Sequence, residues 1–242
     1  MKTIAVVSAR WGSSRFPGKP LVPIAGVPLV VRALTSAANL LGRENVIAAI
    51  DDQRIADVVA SWGFQYRMTG SHLTGTDRVA EALQSVDFSW AINIQGDEAT
   101  LDPNDLKAFQ LKLEAGTSST LNAITNLLTE SEISSNSVPK VVTDESGRLL
   151  YISRSAIPGS KEPLPLDRYR KQVGVYGYSP QALSLFSSRA GKSKNESLED
   201  IEILRLLDIG VQVNTIEFVG QSVAVDWPGD VANAEALLRG TV

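Results

Sequence analysis

Residues 3–50 read "TIAVVSARWGSSRFPGKPLVPIAGVPLVVRALTSAANLLGRENVIAAI", and this stretch decides the fold. Its ends, "TIAVVSA" and "NVIAAI", are short, β-branched and apolar at consecutive positions. Both faces of each therefore call for burial, as in strands of a parallel sheet covered on both sides. Between them "PLVVRALTSAANLLG" sets apolar residues at three- and four-residue spacing and stops at Gly42, which predicts a helix. Strand, helix and strand in this order predict a right-handed parallel unit. The alternation continues with helices in "DDQRIADVVASWG" and "TGTDRVAEALQSV", the second starting near Thr76 or Asp77. A strand in "WAINIQGDEA" follows, then a helix in "DPNDLKAFQLKLEAG" opened by Asp102 and Pro103. The expected fold is α/β, a doubly wound and mostly parallel sheet.

From about residue 122 to 180 the pattern changes. Strand-like pieces ("VPKVVT", "LLYISR", "QVGVYGYS") are separated by turns, "DESG" predicts a hairpin, and "PGSKEPLPLDRYRK" is a proline-studded polar loop. The expectation is one domain over 1–242 with an inserted β-rich subregion at about 122–180. Helical patterns return with "SLEDIEILRLLDIG", read as one helix, and "PGDVANAEALLRG". A hydrophobic content of 43% over 242 residues is ample for a continuous core. A formal charge of −4 argues against non-specific binding to nucleic acid or anionic membranes. The absence of cysteine excludes disulfides, thiol catalysis and cysteine-ligated metal. Arg10 interrupts the first apolar run too early for a secretory signal, and no run of about 18 apolar residues spans a membrane. A cytoplasmic protein is expected.

The loop after the first strand, "SARWGSSRFPGKPL" (residues 8–21), gathers Arg10, Arg15 and Lys19 with glycines and serines. Ligands of doubly wound sheets bind beyond the carboxyl ends of strands. Small residues there let backbone N–H groups turn toward an anion while the cations supply charge. These are the parts of a polyphosphate cradle, although neither G-x-x-x-x-G-K-[ST] nor G-x-G-x-x-G is present; a solvated basic turn is the plainer reading. "NIQGDE" (93–98) ends a strand with Asp97 on the same edge. Mg²⁺ takes one or two carboxylates plus phosphate oxygens, so Asp97 is a candidate ligand, or else a turn former. Asp226 in "VAVDWPGD" (223–230) reads equally as a helix cap or as a second ligand.

These pieces resemble a known family. "ARWGSSRFPGKPL" is similar to the A-R-x-x-S-x-R-x-P-x-K-P-L signature of the nucleotide-sugar cytidylyltransferases, and among them most resembles the 3-deoxy-manno-octulosonate (Kdo) cytidylyltransferase family. "MTGSHLTGTDRVAEAL", "NIQGDE", "YISRSAIP", "GVYGY" and "VDWPGD" follow in the family's order over essentially the whole chain. The resemblance implies a Rossmann-like nucleotidyltransferase fold and transfer of CMP from CTP to the anomeric hydroxyl of a 3-deoxy-ulosonic acid. Pyrophosphate is released, and the product serves lipopolysaccharide or surface-polysaccharide synthesis. It implies that Arg10 and Lys19, beside Ser13 and Ser14, hold the triphosphate, and that Arg78 and Gln95 place the cytidine. Asp97 and Asp226 bind Mg²⁺ in this reading, which makes Lys19, Arg10 and Asp97 the catalytic set. Arg154 and Tyr178 line the sugar-acid site; a bidentate guanidinium also suits a carboxylate on its own chemistry.

Glu196, Glu199, Glu202 and Arg205 recur every third residue, which predicts one helical face. Its plainest reading is solvated ion pairs, while the resemblance assigns Glu199 and Glu202 to sugar hydroxyls. The chain departs from the family at two places on the sugar side. Ile203 stands where glutamine is usual, and Gln172 stands where a histidine is usual. Both changes predict selectivity altered at the far end of the sugar acid. The lone His72 is assigned no chemistry, and Trp11 is the tryptophan placed to touch a ligand. A homodimer through the middle strands is expected. The alternatives are another ulosonate, such as an 8-amino variant or a nonulosonate, or a non-catalytic nucleotide-binding protein.

Overall fold

The computed structural model describes residues 2–12 and 16–240; Ser13, Ser14 and Arg15 of the opening loop lie outside the described residues. Strand β1 (Thr3–Ala9) is buried along its whole length. A short hairpin, β2 (Pro23–Ile24) and β3 (Val27–Pro28), leads into α1 (Leu29–Leu41). Then come β4 (Val46–Ile50), α2 (Gln53–Ser61), β5 (Gln65–Met68), α3 (Gly75–Leu83), β6 (Trp90–Gln95) and α4 (Pro103–Glu114). The caps follow from the residue types. Asp52 accepts from the Arg54 amide and Asp102 from the Asn104 amide. Thr74, two or three residues earlier than the sequence suggests, accepts from the Asp77 amide.

The second half adds β7 (Thr120–Asn126), a one-turn α5 (Ser131–Ser134), the hairpin β8 (Lys140–Thr143) and β9 (Leu149–Ser153), and β10 (Arg170–Tyr178). It ends with α6 (Pro180–Ser188), α7 (Lys194–Glu199), α8 (Leu204–Asp208), β11 (Asn214–Glu217) and α9 (Asp230–Leu238). The sheet runs β11-β7-β10-β6-β1-β4-β5. β1 is parallel to β4 and β6, β4 to β5, and β7 to β11, while β10 alone on this path runs antiparallel, between β6 and β7. The α/β fold read from residues 3–50 is thus present. Within 122–180, β7 and β10 belong to this central sheet, and what stands off it is the β8–β9 hairpin, attached through the first residues of β10. The "DESG" turn closes that hairpin.

Apolar clusters cover both sheet faces. One packs Val30, Leu34, Ile55 and Phe109 against Val7 and Ile94, and the other packs Val79, Leu83, Phe186 and Leu206 against Val6 and Tyr178. Successive helices leave β1 in one direction toward β5, and the chain then returns to β6 on the other side. The strand order therefore reverses between β1 and β6, and a cleft opens at their carboxyl ends. Because β10 is antiparallel, its first residues come to the same edge. Among the described residues no helix is long and apolar enough to cross a membrane.

Candidate active site

Three charged side chains meet where β1 and β6 end. Lys19 Nζ donates to Asp97 Oδ2 at 2.8 Å and to Asp226 Oδ1 at 3.2 Å. Lys19 opens a one-turn 3₁₀ segment (Lys19–Leu21) that closes the loop after β1. Asp97 follows β6 through Gly96, where an added Cβ would sit 2.7 Å from the Ser8 carbonyl, so only glycine lets the turn cross so close to β1. Asp226 arrives from far along the chain by backbone pairing. The Ala99 amide donates to the Val223 carbonyl and the Val225 amide to the Asp97 carbonyl, zipping 223–225 onto 97–99. The helix-cap reading of Asp226 does not hold, because Asp230 accepts from the amides of Asp226 and Trp227 and organises that turn. Burial opposes the charge on Lys19, but Asp97 and Asp226 outweigh it and hold its pKa above the ordinary lysine value.

A polar lobe of about 460 Å³ opens on one side of this cluster. Arg10, Lys19, Arg78 and Arg154 line it, facing Asp97, Asp200 and Asp226. Arg78 is almost wholly buried and donates to Asp51 at 3.0 Å and to Thr69; burial lowers its pKa, Asp51 opposes that, and nearby Arg10 adds to it. Gln95 donates to Glu202 and to the Tyr176 hydroxyl, both at 3.2 Å. Glu202 lies beneath, accepting also from the Thr76 amide, and burial raises its pKa. Among the described residues the Arg154 guanidinium is held by backbone carbonyls. Its three guanidinium nitrogens donate to the carbonyls of Glu199, Asn136 and Asp200 at 2.6–3.0 Å.

A second lobe of about 740 Å³ meets the first at Asp226. Glu98, Lys171, Gln172, Ser222 and Trp227 are among its walls. Gln172 thus stands in a different lobe from Arg154. Other expected sugar residues are not at the surface of either lobe. Tyr178 is fully buried, its hydroxyl 3.1 Å from Thr76 Oγ1; the tyrosine one pleat earlier, Tyr176, is the one that touches Gln95. Glu199 spends its carboxylate on Ser153 Oγ and the Arg154 amide, so it positions the arginine rather than lining a cavity. Ile203 is a fully buried core residue, not a cavity wall.

The expected single helix over 197–210 is corrected as well. It breaks at Asp200, which adopts a left-handed conformation (φ 52°) between α7 and α8. The solvated face is also corrected: Arg205, 1% exposed, pairs with Glu196 and Asp77 at 2.6–3.1 Å and lies 3.9 Å over the Phe186 ring. Trp11 donates its amide to Asp51, carries Arg54 over its ring at 3.5 Å and lies outside the lobe linings. His72 lines the first lobe and contacts Glu81.

Sequence reasoning missed Glu98 and Asp51. Glu98 is buried, accepts from the Gly174 amide and Ser222 Oγ at 2.6 Å each, and is pushed up to about 7 by burial and by the Asp97 charge beside it. Its place after Asp97 in "QGDE" was the available signal. Asp51, directly after β4, anchors both Trp11 and Arg78; its position at a strand's carboxyl end was the clue.

The Asp97–Asp226 pair fits a divalent cation. Asp97 Oδ1 is buried without a hydrogen-bond partner among the described residues, and a cation, here the Lys19 ammonium, already lies between the two carboxylates. Two carboxylates leave the remaining positions to phosphate oxygens and water, which suits Mg²⁺.

A basic lobe and a carboxylate pair at the switch point of a doubly wound sheet define a nucleotidyltransferase. The chain belongs to the cytidylyltransferase family, whose model matches residues 4–216. It is 38% identical to the 3-deoxy-manno-octulosonate cytidylyltransferase of Syntrophotalea carbinolica, over 99% of this chain and 100% of that one. It is 33% identical to the Escherichia coli protein of the same name, over 98% of this chain and 96% of that one. Among solved structures it resembles a CMP:2-keto-3-deoxy-manno-octonic acid synthetase complexed with CTP, with a TM-score of 0.87, 32% identity and full coverage of both chains.

Proposed function

We propose that this chain transfers CMP from CTP to the anomeric hydroxyl of a 3-deoxy-ulosonic acid, 3-deoxy-manno-octulosonate in the first instance. The observation that carries the reading is the Lys19–Asp97–Asp226 cluster at the mouth of a lobe lined by arginines. CTP lies in that lobe, with Arg10 and Lys19 on the outer phosphates and Arg78 and Gln95 at the cytidine end. The sugar acid lies where the lobes meet. Its carboxylate faces Arg154, whose guanidinium is bonded by backbone carbonyls and by no carboxylate among the described residues, and its tail runs past Gln172.

The sugar oxygen bonds to the α-phosphorus as the α–β bridging oxygen leaves with its electron pair on pyrophosphate, and the hydroxyl proton passes to water. Such transfers depend on positioning and charge neutralisation. Lys19 and Arg10 take up charge developing on the leaving pyrophosphate. Gln95, fixed by Glu202 and Tyr176, holds one edge of the nucleotide, and Glu199 orients Arg154. Asp97 and Asp226 would hold Mg²⁺, which when bound lowers the charge barrier between nucleophile and phosphate.

A cytoplasmic location, where CTP is made, belongs to the same reading. So does a homodimer through the middle strands, supported by Leu150 of β9, which is half exposed. The test is pyrophosphate release with CTP and Mg²⁺ across a panel of ulosonic acids. Selective use of 3-deoxy-manno-octulosonate supports the proposal; preference for an 8-amino or nine-carbon acid replaces that substrate; CTP binding with no release for any acid overturns it.

A further inference from the structure

Where β10 lies against β7, Gln172 pairs with Ile124 and Tyr176 with Asn122. Four steps on β10 therefore face two on β7, a bulge of the kind that frees backbone groups and re-aims a side chain beside a site. The freed carbonyls of Val173 and Val175 both accept from Asn122 Nδ2 at 3.2 Å. On the other side the freed Gly174 amide donates to Glu98, and an added Cβ at 174 would come within 2.8 Å of that carboxylate.

Asn122 is wholly buried. Backbone carbonyls only accept, so chemistry fixes which end of its amide is nitrogen. Its Oδ1 then faces Gln172 and accepts from Nε2 at 3.0 Å. An amide oxygen also only accepts, so Gln172 in turn has one allowed orientation, with Oε1 directed away from Asn122. Gln172 is half-buried in the wall of the second lobe, which it shares with Asp226.

We propose that Asn122 is a positioning residue: through the bulge it turns Gln172 so that Oε1 is a fixed acceptor in the second lobe for a hydroxyl or amino donor on the sugar acid's tail. The substrate part of this rests on the reading under Proposed function. A carboxylate or phosphate is disfavoured at that spot, so the relay also sets which end of the acid enters the lobe.

The test uses the full chain at pH 8, with KM measured separately for 3-deoxy-manno-octulosonate and CTP. Gln172→Leu is expected to raise KM for the acid about tenfold, the cost of one unmet hydrogen bond, with KM for CTP within twofold. Gln172→His keeps both functions, because a neutral imidazole donates from one nitrogen to Asn122 and accepts with the other; it should stay within threefold of wild type. Gln172→Glu cannot donate to Asn122 and should behave like Gln172→Leu. Asn122→Ser should raise KM for the acid alone and add nothing to Gln172→Leu.

Unchanged KM in Gln172→Leu, a Gln172→His no better than Gln172→Leu, or additive losses in the double variant overturn the proposal. If Asn122→Ser does not fold, the contrast between His and Glu at 172 still decides. Independently of turnover, the Gln172 side-chain amide protons should exchange slowly by NMR in wild type, and fast exchange there refutes the relay. Wild type that releases no pyrophosphate with any ulosonic acid overturns the parent reading instead, leaving the NMR result to judge the relay.

Discussion

Replacing Lys19 with methionine keeps most of the side-chain volume and removes the ammonium that contacts both Asp97 and Asp226. Two opposite charges about 4 Å apart at an effective dielectric constant of about 20 attract by about 4 kcal/mol. The side chains of Lys19, Asp97 and Asp226 are 15%, 21% and 29% exposed, so solvent discounts that figure, and about 1–3 kcal/mol is expected to be lost. For a chain of this size that is a fall in Tm of about 3–10 °C. Asp97 and Asp226 then lose the ammonium they share, and a divalent cation no longer has to displace it. Lys19→Met should therefore bind Mn²⁺ without nucleotide about tenfold to hundredfold more tightly than wild type, as the same free energy no longer opposes entry. Metal should also restore most of the lost Tm. The assay is Mn²⁺ titration by electron paramagnetic resonance, with thermal denaturation alongside. Equal Mn²⁺ affinity in the two proteins would refute the claim that the lysine occupies the cation's place.

Further outcomes follow from the same geometry. Asp226→Asn and Asp97→Asn should each lower pyrophosphate release by orders of magnitude with an unchanged circular dichroism spectrum; near-wild-type rates at limiting Mg²⁺ would remove the carboxylate-pair site. Glu98 has its pKa raised to about 7 from 4.5, so the folded state holds a proton that the unfolded chain has released. Stability should therefore fall as pH rises from about 4.5 to about 7 and level off above, by up to about 3 kcal/mol. Glu98→Gln should flatten that slope in denaturant titrations run with chelator. Arg205→Met strands Glu196 and Asp77 and should cost about 3–5 kcal/mol, read as a large drop in Tm. Light scattering across micromolar concentrations should report a dimer.

How much of this was legible in the sequence depends on whether the cause was local. The strand–helix–strand pattern of residues 3–50 is local, and so are the caps at Asp52 and Asp102; each could be read from spacing and residue type. Asp97 and Lys19 could be placed on one edge because strand direction fixes where β1 and β6 end. The pairing of 223–225 with 97–99 is long-range, so nothing near Asp226 distinguished a ligand from a cap. Periodicity continued through Glu199, Asp200 and Glu202, yet the helix breaks there. Asp200 tolerates the left-handed conformation, and the break lets Arg205 reach both Glu196 and Asp77. Tyr176 and Tyr178 share one face of β10, so alternation could not tell which lies under the cleft and which in the core. The role of Asn122 was invisible because it comes from a bulge in the opposite strand.

The most direct test of the central claim is product identification. The full chain, CTP, Mg²⁺ and 3-deoxy-manno-octulosonate are mixed and followed by ³¹P NMR and mass spectrometry. The account predicts one pyrophosphate and one CMP–sugar phosphodiester for each CTP consumed, with neither formed when the sugar acid is omitted. CTP bound in the arginine-lined lobe but left intact in the complete mixture, or cleaved at the same rate without the acid, would contradict it.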